Sequence, residues 1–396
     1  MPSEKIPFNR PCFGGNEYLY MGQALERLHI SGDGYFSKQA QAFLERETGT
    51  LKALLTTSCT DALEMSALLL GIGEGDEVIV PSFTFVSTAN AYALRGARIR
   101  FADVRADTLN MDATHVESLI NEHTKAIVPV HYAGVACEMD VLGAMAKRHG
   151  IAIVEDNAHG LFGTYRGQNL GALGSMATQS FHETKNFSCG EGGALLINDA
   201  TLIPRAEIVR EKGTNRSQFF RGQVDKYTWV DVGSSFLPSD LLAACLLAQL
   251  ERRETIQSTR RAIWENYYRE LSNWAERYGV GLPIVPEHCE QAYHMFYLLM
   301  PTLEDRQAFI QHTKELGLMC VFHYLPLNAS PMGAVQGASV GECPVTETMS
   351  DLLVRLPFFN NMTLAEQQRV IEGVLAFQPK REAHPLLESR RSLAAV

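Results

Sequence analysis

The chain has 396 residues, 46% of them hydrophobic and 20% charged, which is the composition of an ordinary globular protein. The formal net charge of -10 argues against bulk binding to nucleic acid or anionic membranes, although a local basic site for an anionic substrate remains compatible with it. The eight cysteines form no Cys-x-x-Cys pair, so we predict neither a zinc site nor a disulfide framework and expect reduced thiols in the cytoplasm.

The first two-thirds of the chain alternates predicted strands and helices. The predicted elements are, in chain order, a helix at 61–71, a strand at 77–80, a helix at 86–95, strands at 98–104 and 126–130, a helix at 140–149, strands at 151–154, 176–181 and 194–197, and a helix near 201–212. Strands that alternate with helices of this length predict crossover connections, and therefore a mostly parallel central sheet with helices on both faces.

The last third of the chain has a different pattern. A long polar helix is predicted over about 240–277, followed by mixed strands and by helices near 303–316 and 363–376. We therefore predict an α/β fold with a large domain over 1–245, a smaller C-terminal α+β domain over 246–380, and a frayed tail over 381–396.

A cluster of small polar residues precedes the helix predicted at 61–71. Ser58, Cys59 and Thr60 stand where free backbone N–H groups and the helix dipole favour a phosphate. The alternative is plain capping of the helix N-terminus by Ser58 or Thr60.

A carboxylate follows the buried strand at 151–154. Asp156 stands at the carboxyl end of that strand, which is where open α/β sheets bind ligands. A carboxylate there can keep a pyridine nitrogen protonated, so that the ring accepts electrons. The alternative is a strand-end acid that bonds nearby backbone amides.

A lysine follows the strand at 176–181, just before the glycine-rich residues 190–193. Lys185 in this position could be a desolvated amine with a lowered pKa, although an ordinary solvated lysine is the alternative. These three features follow one another along the chain: a helix N-terminus suited to a phosphate, an Asp at a strand end, and a Lys. This is their order in fold-type I pyridoxal-phosphate enzymes.

These motifs also carry a resemblance to a known family. In residues 75–85, 155–156, 180–186 and 190–193, the chain resembles the DegT/DnrJ/EryC1/StrS family of sugar aminotransferases, and the likeness extends over about residues 5–375. Two further stretches, 129–140 and 212–229, are similar to the dTDP-4-amino-4,6-dideoxygalactose transaminases that serve enterobacterial common antigen or O-antigen synthesis.

The resemblance implies a role for each motif residue. Lys185 would form the internal imine with pyridoxal 5'-phosphate, and Asp156 would bind the pyridine nitrogen. The phosphate would be held by Ser58, Cys59 through its amide, Thr60 and Ser180. Phe85 would lie on the cofactor ring, unless it is a core aromatic, and His159 would reach the ring oxygen or the ring face.

The resemblance also implies a homodimer with each site at the interface. Ser235 stands where relatives offer an Asn to the partner subunit's cofactor phosphate. Tyr324 belongs to a loop that is expected to approach the sugar nucleotide, and Asn328 in the same loop stands where relatives often carry His. Candidates for binding the nucleotide diphosphate are Arg216, Arg221 and Lys226, for which a solvated basic loop is the alternative.

The implied reaction moves the amino group of L-glutamate to C4 of dTDP-4-keto-6-deoxy-D-glucose and gives dTDP-4-amino-4,6-dideoxy-D-galactose. One alternative is that the product is the gluco epimer. Another is that the substrate is a different keto-sugar nucleotide. A dehydratase of the same fold is disfavoured because such enzymes replace the lysine by histidine. A non-catalytic regulator is disfavoured because we expect no N-terminal segment long enough for DNA binding.

Overall fold

The computed structural model describes residues 5–380 and 382–393. The α-helices are α1 (Glu17–Glu26), α2 (Tyr35–Thr48), α3 (Cys59–Leu69), α4 (Val86–Ala93), α5 (Ala113–Leu119), α6 (Met139–His149), α7 (Ile203–Arg210), α8 (Arg216–Phe220), α9 (Asp240–Glu251), α10 (Arg253–Arg277), α11 (Leu303–Glu315), α12 (Pro331–Val335), α13 (Pro344–Leu352), α14 (Leu364–Leu375) and α15 (Pro385–Leu393). The strands are β1 (Lys52–Thr56), β2 (Glu77–Pro81), β3 (Arg98–Ala102), β4 (Thr124–Ile127), β5 (Ala152–Asp156), β6 (Thr164–Tyr165), β7 (Gln168–Asn169), β8 (Met176–Ser180), β9 (Gly193–Ile197), β10 (Cys289–Glu290), β11 (Tyr297–Leu299), β12 (Val321–Phe322) and β13 (Leu353–Arg355). None of the helices in these ranges is both long and apolar enough to cross a bilayer.

A seven-stranded sheet forms the centre of the fold, in the order β1-β9-β8-β5-β4-β2-β3. The pairs from β8 through β5, β4 and β2 to β3 are all parallel, whereas β9 runs antiparallel to both of its neighbours. The predicted mostly parallel sheet is therefore confirmed, with β9 as its one reversed strand. Because β9 lies between β8 and β1, those two strands run in the same direction, and their carboxyl ends reach the same edge as that of β5.

Both faces of this sheet are covered. Every residue of β2 is buried, as expected for a strand with helices on either side. Val78 and Val80 pack into one apolar cluster, which includes residues of α3, α4 and α7, whereas Ile79 packs into another with residues of α5 and α6. The alternation of side chains along a strand thus explains why the predicted run at 77–80 is apolar throughout.

A second, smaller sheet lies in the C-terminal third. Its order is β11-β13-β12, and both pairings are antiparallel. β11 and β13 share an apolar cluster with α10, α11 and α14, which brings the predicted helices near 303–316 and 363–376 together. The proposed domain boundary between 245 and 246 falls inside α9, and the division of the chain at that position stays a prediction.

The prediction of one long helix over 240–277 is wrong in one respect, because the chain forms two helices, α9 and α10, which Arg252 separates. α9 is apolar and packs against α1 and α2, whereas α10 is largely polar and packs against α14. Most of the buried apolar residues of α10 therefore lie in a different cluster from those of α9, although Ile256 at its start packs with α9.

The prediction of a frayed tail over 381–396 is also wrong for residues 385–393, which form α15. Leu387 is buried, and the guanidinium of Arg390 donates hydrogen bonds to the carbonyl oxygens of Asp107 and Leu282. These contacts compensate the cost of burying Arg390 and fix the helix to the body of the protein.

Candidate active site

A cavity of about 770 Å³ opens at the carboxyl ends of β1, β5 and β8. This volume is typical of sites for small molecules and cofactors. Nine of the residues singled out in the sequence line it together: Ser58, Cys59, Thr60, Phe85, Asp156, His159, Ser180, Lys185 and Tyr324. The fold therefore gathers motifs that are up to 266 residues apart in the chain, counting from 58 to 324.

One end of the cavity is the N-terminus of α3. Ser58 caps this helix, since its hydroxyl oxygen accepts a hydrogen bond from the backbone N–H of Asp61 at 3.0 Å. Thr60 donates from its hydroxyl to the hydroxyl oxygen of Ser87 at 2.8 Å. The capping interpretation is thus correct, and it is compatible with anion binding, because the N–H groups of the first helical turn have no partner within the helix.

A glycine allows the backbone before α3 to lie close to the sheet. A Cβ atom at Gly193, the first residue of β9, would meet the backbone of Ser58 and Cys59. No side chain fits between β9 and this loop, so glycine at 193 sets the position of the first turn of α3.

Asp156 ends β5 at the floor of the cavity. One carboxylate oxygen accepts a hydrogen bond from the Thr88 hydroxyl at 2.7 Å, and the other accepts one from the backbone N–H of Ala158 at 3.2 Å. Burial raises the pKa of Asp156, and these two hydrogen bonds oppose that rise. A buried carboxylate in this state gains stability from a cation within bonding distance, and a protonated pyridine nitrogen is such a cation.

Lys185 follows β8 and reaches the same cavity. Burial lowers the pKa of its amine to about 8, against an ordinary value of 10.5, while the nearby Cys59 and Asp156 partly restore it. Lys185 is thus not the ordinary solvated lysine of the alternative interpretation. A substantial fraction of it is neutral near pH 8, which is the form that attacks an aldehyde.

The turn that carries Lys185 is held by a polar network. The side-chain oxygen of the neighbouring Asn186 accepts a hydrogen bond from Nδ1 of His294 at 2.9 Å, and its side-chain nitrogen donates to the carbonyl oxygen of Ala292 at 2.7 Å. The backbone carbonyl oxygen of Asn186 accepts from the side chain of Asn360 at 2.9 Å. The buried Arg260 in turn donates to the carbonyl oxygens of Tyr293 and His294. Residues of the C-terminal third therefore fix the backbone beside the lysine.

Three histidine rings lie beside Asp156 and Lys185. His159 stacks on His294 with ring centroids 4.2 Å apart, and His323 bonds the hydroxyl of Tyr132 through Nδ1 at 2.9 Å. Burial holds the pKa of all three histidines well below its usual range, so the rings are neutral. The buried Nδ1 of His159 has no hydrogen-bond partner among the described residues, which leaves it free for a group in the cavity.

Phe85 is not a core aromatic. Its side chain is 57% exposed, and it lines the cavity with its ring centroid 6.3 Å from that of Tyr324. An aromatic face that is open to a ligand cavity can stack on a flat ring.

Four of the predicted site residues lie outside this cavity. The backbone of Ser235 forms an isolated antiparallel β-bridge with that of Glu211. Arg216 forms an ion pair with Glu211 at 3.5 Å, and Arg221 forms one with Glu207 at 2.7 Å. Lys226 is exposed in the same segment. A single chain therefore does not bring these residues to the site that its own Lys185 occupies.

Asn328, in the same loop as Tyr324, does not line the cavity. It is buried and bonds the hydroxyl of Ser82 at 2.6 Å and the carboxylate of Glu347 at 2.7 Å. The loop reaches the cavity through Tyr324 and Leu325 instead.

Sequence reasoning missed Thr88, His294 and Arg355, which all line the cavity. Thr88 lies two residues after the start of α4, so a polar residue on the first turn of a helix after a strand end was an available signal. His294 and Arg355 stand in the C-terminal third outside any motif, and only the tertiary fold brings them to the site.

The donor set fits pyridoxal phosphate. The first turn of α3 with Ser58, Thr60 and Ser180 could hold a phosphate, Asp156 a protonated ring nitrogen, and Lys185 an aldehyde carbon. Within residues 5–380 and 382–393, no cluster of His, Cys, Asp and Glu side chains could hold a metal ion.

Comparison with known proteins agrees with this geometry. A model of the DegT/DnrJ/EryC1/StrS aminotransferase family matches residues 15–375. The aminotransferase TlmJ from Streptoalloteichus hindustanus is 28% identical, with a TM-score of 0.85 over 95% of this chain and 98% of that chain.

Two further solved structures are similar to this chain. Spr1654 from Streptococcus pneumoniae, which is assigned as a sugar aminotransferase and was solved in a PMP form, is 26% identical with a TM-score of 0.87, over 97% of this chain and 100% of that one. DesV from S. venezuelae is 28% identical with a TM-score of 0.84, over 94% of this chain and 98% of that one.

Proposed function

Because the chain belongs to the DegT/DnrJ/EryC1/StrS family of pyridoxal-phosphate-dependent aminotransferases, we propose that it is a cytoplasmic, homodimeric enzyme that acts on a dTDP-sugar. In this proposal, the amino group of L-glutamate moves to C4 of dTDP-4-keto-6-deoxy-D-glucose, and the product is dTDP-4-amino-4,6-dideoxy-D-galactose. The observation that carries it is the meeting of a depressed-pKa lysine, Lys185, and a buried carboxylate, Asp156, in one cavity.

We assign the cofactor contacts as follows. The N-terminal turn of α3, with Ser58, the amide of Cys59 and Thr60, would hold the phosphate together with Ser180. Phe85 and His159 would contact the ring, and Asp156 would keep the ring nitrogen protonated. When bound, pyridoxal phosphate supplies an electron sink that stabilises negative charge at the carbon bonded to the transferred nitrogen.

Lys185 carries the proton in both halves of the reaction. Its neutral Nζ removes the proton from the α-carbon of glutamate, and in the second half the protonated Nζ delivers a proton to C4 of the sugar. The low pKa of Lys185 favours both steps, because the amine can exchange a proton near neutral pH. The network around Asn186 holds the backbone of this lysine while its side chain moves.

The sugar nucleotide is proposed to bind between two subunits. Arg216, Arg221 and Lys226 lie outside the cavity of their own chain, on a segment that exposes the side chains of Phe220 and Trp229. Exposed aromatic side chains of this size are typical of an interface. We propose that this segment packs on a second copy, where the cations bind the diphosphate and Ser235 reaches the cofactor phosphate, while Tyr324 contacts the sugar.

The identity of the substrate rests on two stretches of sequence. Residues 129–140 contribute Val130 to the cavity wall and Tyr132 to the ring cluster beside it, and residues 212–229 form the exposed segment that we assign to the partner's site. Both resemble the transaminases that make dTDP-4-amino-4,6-dideoxygalactose, which favours this product over its gluco epimer.

The proposal is tested by incubating the holoenzyme with L-glutamate and dTDP-4-keto-6-deoxy-D-glucose. We expect equimolar 2-oxoglutarate and amino sugar, and an axial amine at C4 by NMR of the product. The Lys185→Ala variant should lower the rate by at least about 100-fold, since it loses the general base. An equatorial amine at C4 would show that the product is the gluco epimer and not the galacto epimer. The absence of 2-oxoglutarate would rule out transamination from glutamate.

A further inference from the structure

The helix α15 packs against the junction of the large and the small sheet. It lies beyond residues 15–375, the part of the chain that the family model matches. Its Leu387 is buried in an apolar cluster that joins the two sheets, because Phe83 and Val104 follow strands of the large sheet and Tyr297 belongs to β11 of the small one. α15 therefore covers this junction with residues that the family pattern does not include.

Arg390 of α15 joins three separate segments within this junction. It is 2% exposed, its Nε and Nη2 donate to the backbone carbonyl oxygen of Asp107 at 3.0 and 2.8 Å, and its Nη1 donates to that of Leu282 at 2.7 Å. Nη2 also donates to the hydroxyl oxygen of Tyr297 at 3.3 Å. One guanidinium thus holds together the loop after β3, the segment after α10 and the strand β11.

The acceptors of Arg390 are all neutral oxygens. The carboxylate of Asp107 forms its ion pair with Arg105 at 2.6 Å instead. Burial lowers the pKa of Arg390, and the nearby Tyr297 and Asp107 oppose that change only in part. What an arginine offers at this position is the fixed geometry of its N–H donors. Gly281 leaves room for them, since a Cβ atom there would lie 2.7 Å from Nη1.

Tyr297 connects this junction to the active-site cavity. Its ring packs on that of Tyr132, with the two centroids 5.9 Å apart. The hydroxyl of Tyr132 is bonded to Nδ1 of His323 at 2.9 Å, and its ring meets that of His159 edge to face at 6.0 Å. His159 and His323 both line the cavity, so Tyr132 supports two of the three cavity histidines from behind.

We propose that Arg390 is a positioning residue for the cavity histidines His159 and His323. It acts through the packed rings of Tyr297 and Tyr132, and it does not itself line the cavity. This inference deepens the proposed function, because it rests on the assignment of His159 to the cofactor ring. It does not depend on the identity of the sugar nucleotide.

Close packing explains how a residue in α15 influences the cavity. Tyr297 and Tyr132 are both buried, so neither ring moves without displacing its neighbours. Loss of the guanidinium would leave the carbonyl oxygens of Asp107 and Leu282 without this donor and would release the Tyr297 hydroxyl, so the segments around it would rearrange. Tyr132 would then hold the cavity histidines less firmly, and these would hold the cofactor ring less firmly in turn.

The test measures the bound cofactor in Arg390→Met, which keeps an unbranched side chain but has no donors. We expect the Kd for pyridoxal phosphate to rise by about 5-fold, and the visible circular dichroism of the bound cofactor to weaken, because the ring is held less firmly. Tyr297→Phe removes only the hydroxyl that Arg390 bonds, and should change both quantities in the same direction by less. The stability control is Val374→Ala in the buried core of α14, which should lower the melting temperature without changing either quantity.

A double-mutant cycle tests the route through the tyrosines. Tyr132→Phe removes the bond to His323 and should itself raise the Kd for the cofactor, so adding Arg390→Met to it should raise the Kd by less than about 2-fold more. The same cycle with Tyr297→Phe in place of Arg390→Met changes no buried charge and should give the same result. Full additivity in these cycles, or a change in Arg390→Met no larger than in Val374→Ala, would overturn the proposal. A wild-type enzyme that binds pyridoxal phosphate but does not aminate the keto-sugar would contradict only the proposed substrate.

Discussion

Burial acts in opposite directions on the two ionisable groups at the centre of the site. It lowers the pKa of Lys185 to about 8 and raises the pKa of Asp156. Both shifts favour the neutral form, because the cavity disfavours an isolated charge of either sign. A cofactor with an aldehyde and a basic ring nitrogen matches these groups, since it reacts with a neutral amine and provides a cation for the carboxylate.

The first prediction concerns the pH dependence of cofactor uptake by the apoenzyme. Only neutral Lys185 attacks an aldehyde, and its lowered pKa means that the neutral fraction rises with pH and levels off above about 8. We expect the rate of pyridoxal-phosphate attachment, followed by absorbance, to follow this curve. A rate that still increases tenfold per pH unit at pH 9 would show that Lys185 titrates as an ordinary lysine.

The second prediction concerns Asp156→Asn. The amide keeps the shape of the carboxylate and can still accept a hydrogen bond from Thr88, but it carries no negative charge for a protonated ring. We expect kcat to fall by about 100-fold or more while the protein remains folded, by analogy with the loss of other preorganised electrostatic groups. Steady-state kinetics and thermal melting measure the two effects, with the exposed Asp351→Asn as the control. Activity close to wild type would remove Asp156 from the mechanism.

At the level of elements, three parallel strands supply the site. The residues that follow β1, β5 and β8 meet because the strands end at one edge of the sheet, and β9 separates two of them. The close approach of β9 to the start of α3 depends on Gly193. The position of the turn that we assign to the phosphate is therefore set by a residue that has no side chain.

The third prediction is that Gly193→Ala weakens cofactor binding. The added methyl group would meet the backbone of Ser58 and Cys59, so the turn before α3 must move. We expect a loss of about 1–3 kcal/mol in the free energy of unfolding and a raised Kd for pyridoxal phosphate. The control is Gly143→Ala, where nothing lies within 4 Å and a helix interior favours alanine. An unchanged Kd for the cofactor in Gly193→Ala would mean that this turn tolerates displacement.

The elements of the large sheet follow from local patterns, whereas other features do not. Buried runs such as 77–80 and strand ends such as Asp156 are local signals, and the structure confirms the mostly parallel sheet that they predict. The break at Arg252 and the packing of α15 are tertiary effects, because α9 and α10 contact different helices and Arg390 bonds distant carbonyl oxygens. Arg355 escapes prediction for the same reason, since only the small sheet carries it to the cavity.

At the level of the whole molecule, the segment over 212–235 does not line the cavity of its own chain. It carries Arg216, Arg221 and Ser235, and its Trp229 is 76% exposed. A two-fold dimer would bury these aromatic residues and bring the cations to the opposite site, since the same patch acts on both subunits.

The fourth prediction tests this exchange by subunit complementation. Lys185→Ala and the double variant Arg216→Ala/Arg221→Ala should each be nearly inactive as homodimers. When the two are co-expressed, each mixed dimer should regain one intact site, for about a quarter of wild-type activity. Activity no higher than the sum of the separate variants would place these arginines in the site of their own chain or outside the mechanism. A protein that is active as a monomer on sizing would contradict the dimer itself.

The most direct test of the central claim follows the transferred nitrogen. The holoenzyme is incubated with dTDP-4-keto-6-deoxy-D-glucose and with L-glutamate whose amino group carries heavy nitrogen, and the sugar nucleotide is analysed by mass spectrometry. We predict that the heavy nitrogen appears in the dTDP-amino sugar and that the Lys185→Ala variant transfers none. An amino sugar without the label, or a keto-sugar that is unchanged after glutamate has been consumed, would contradict the assignment of this protein as a sugar-nucleotide aminotransferase.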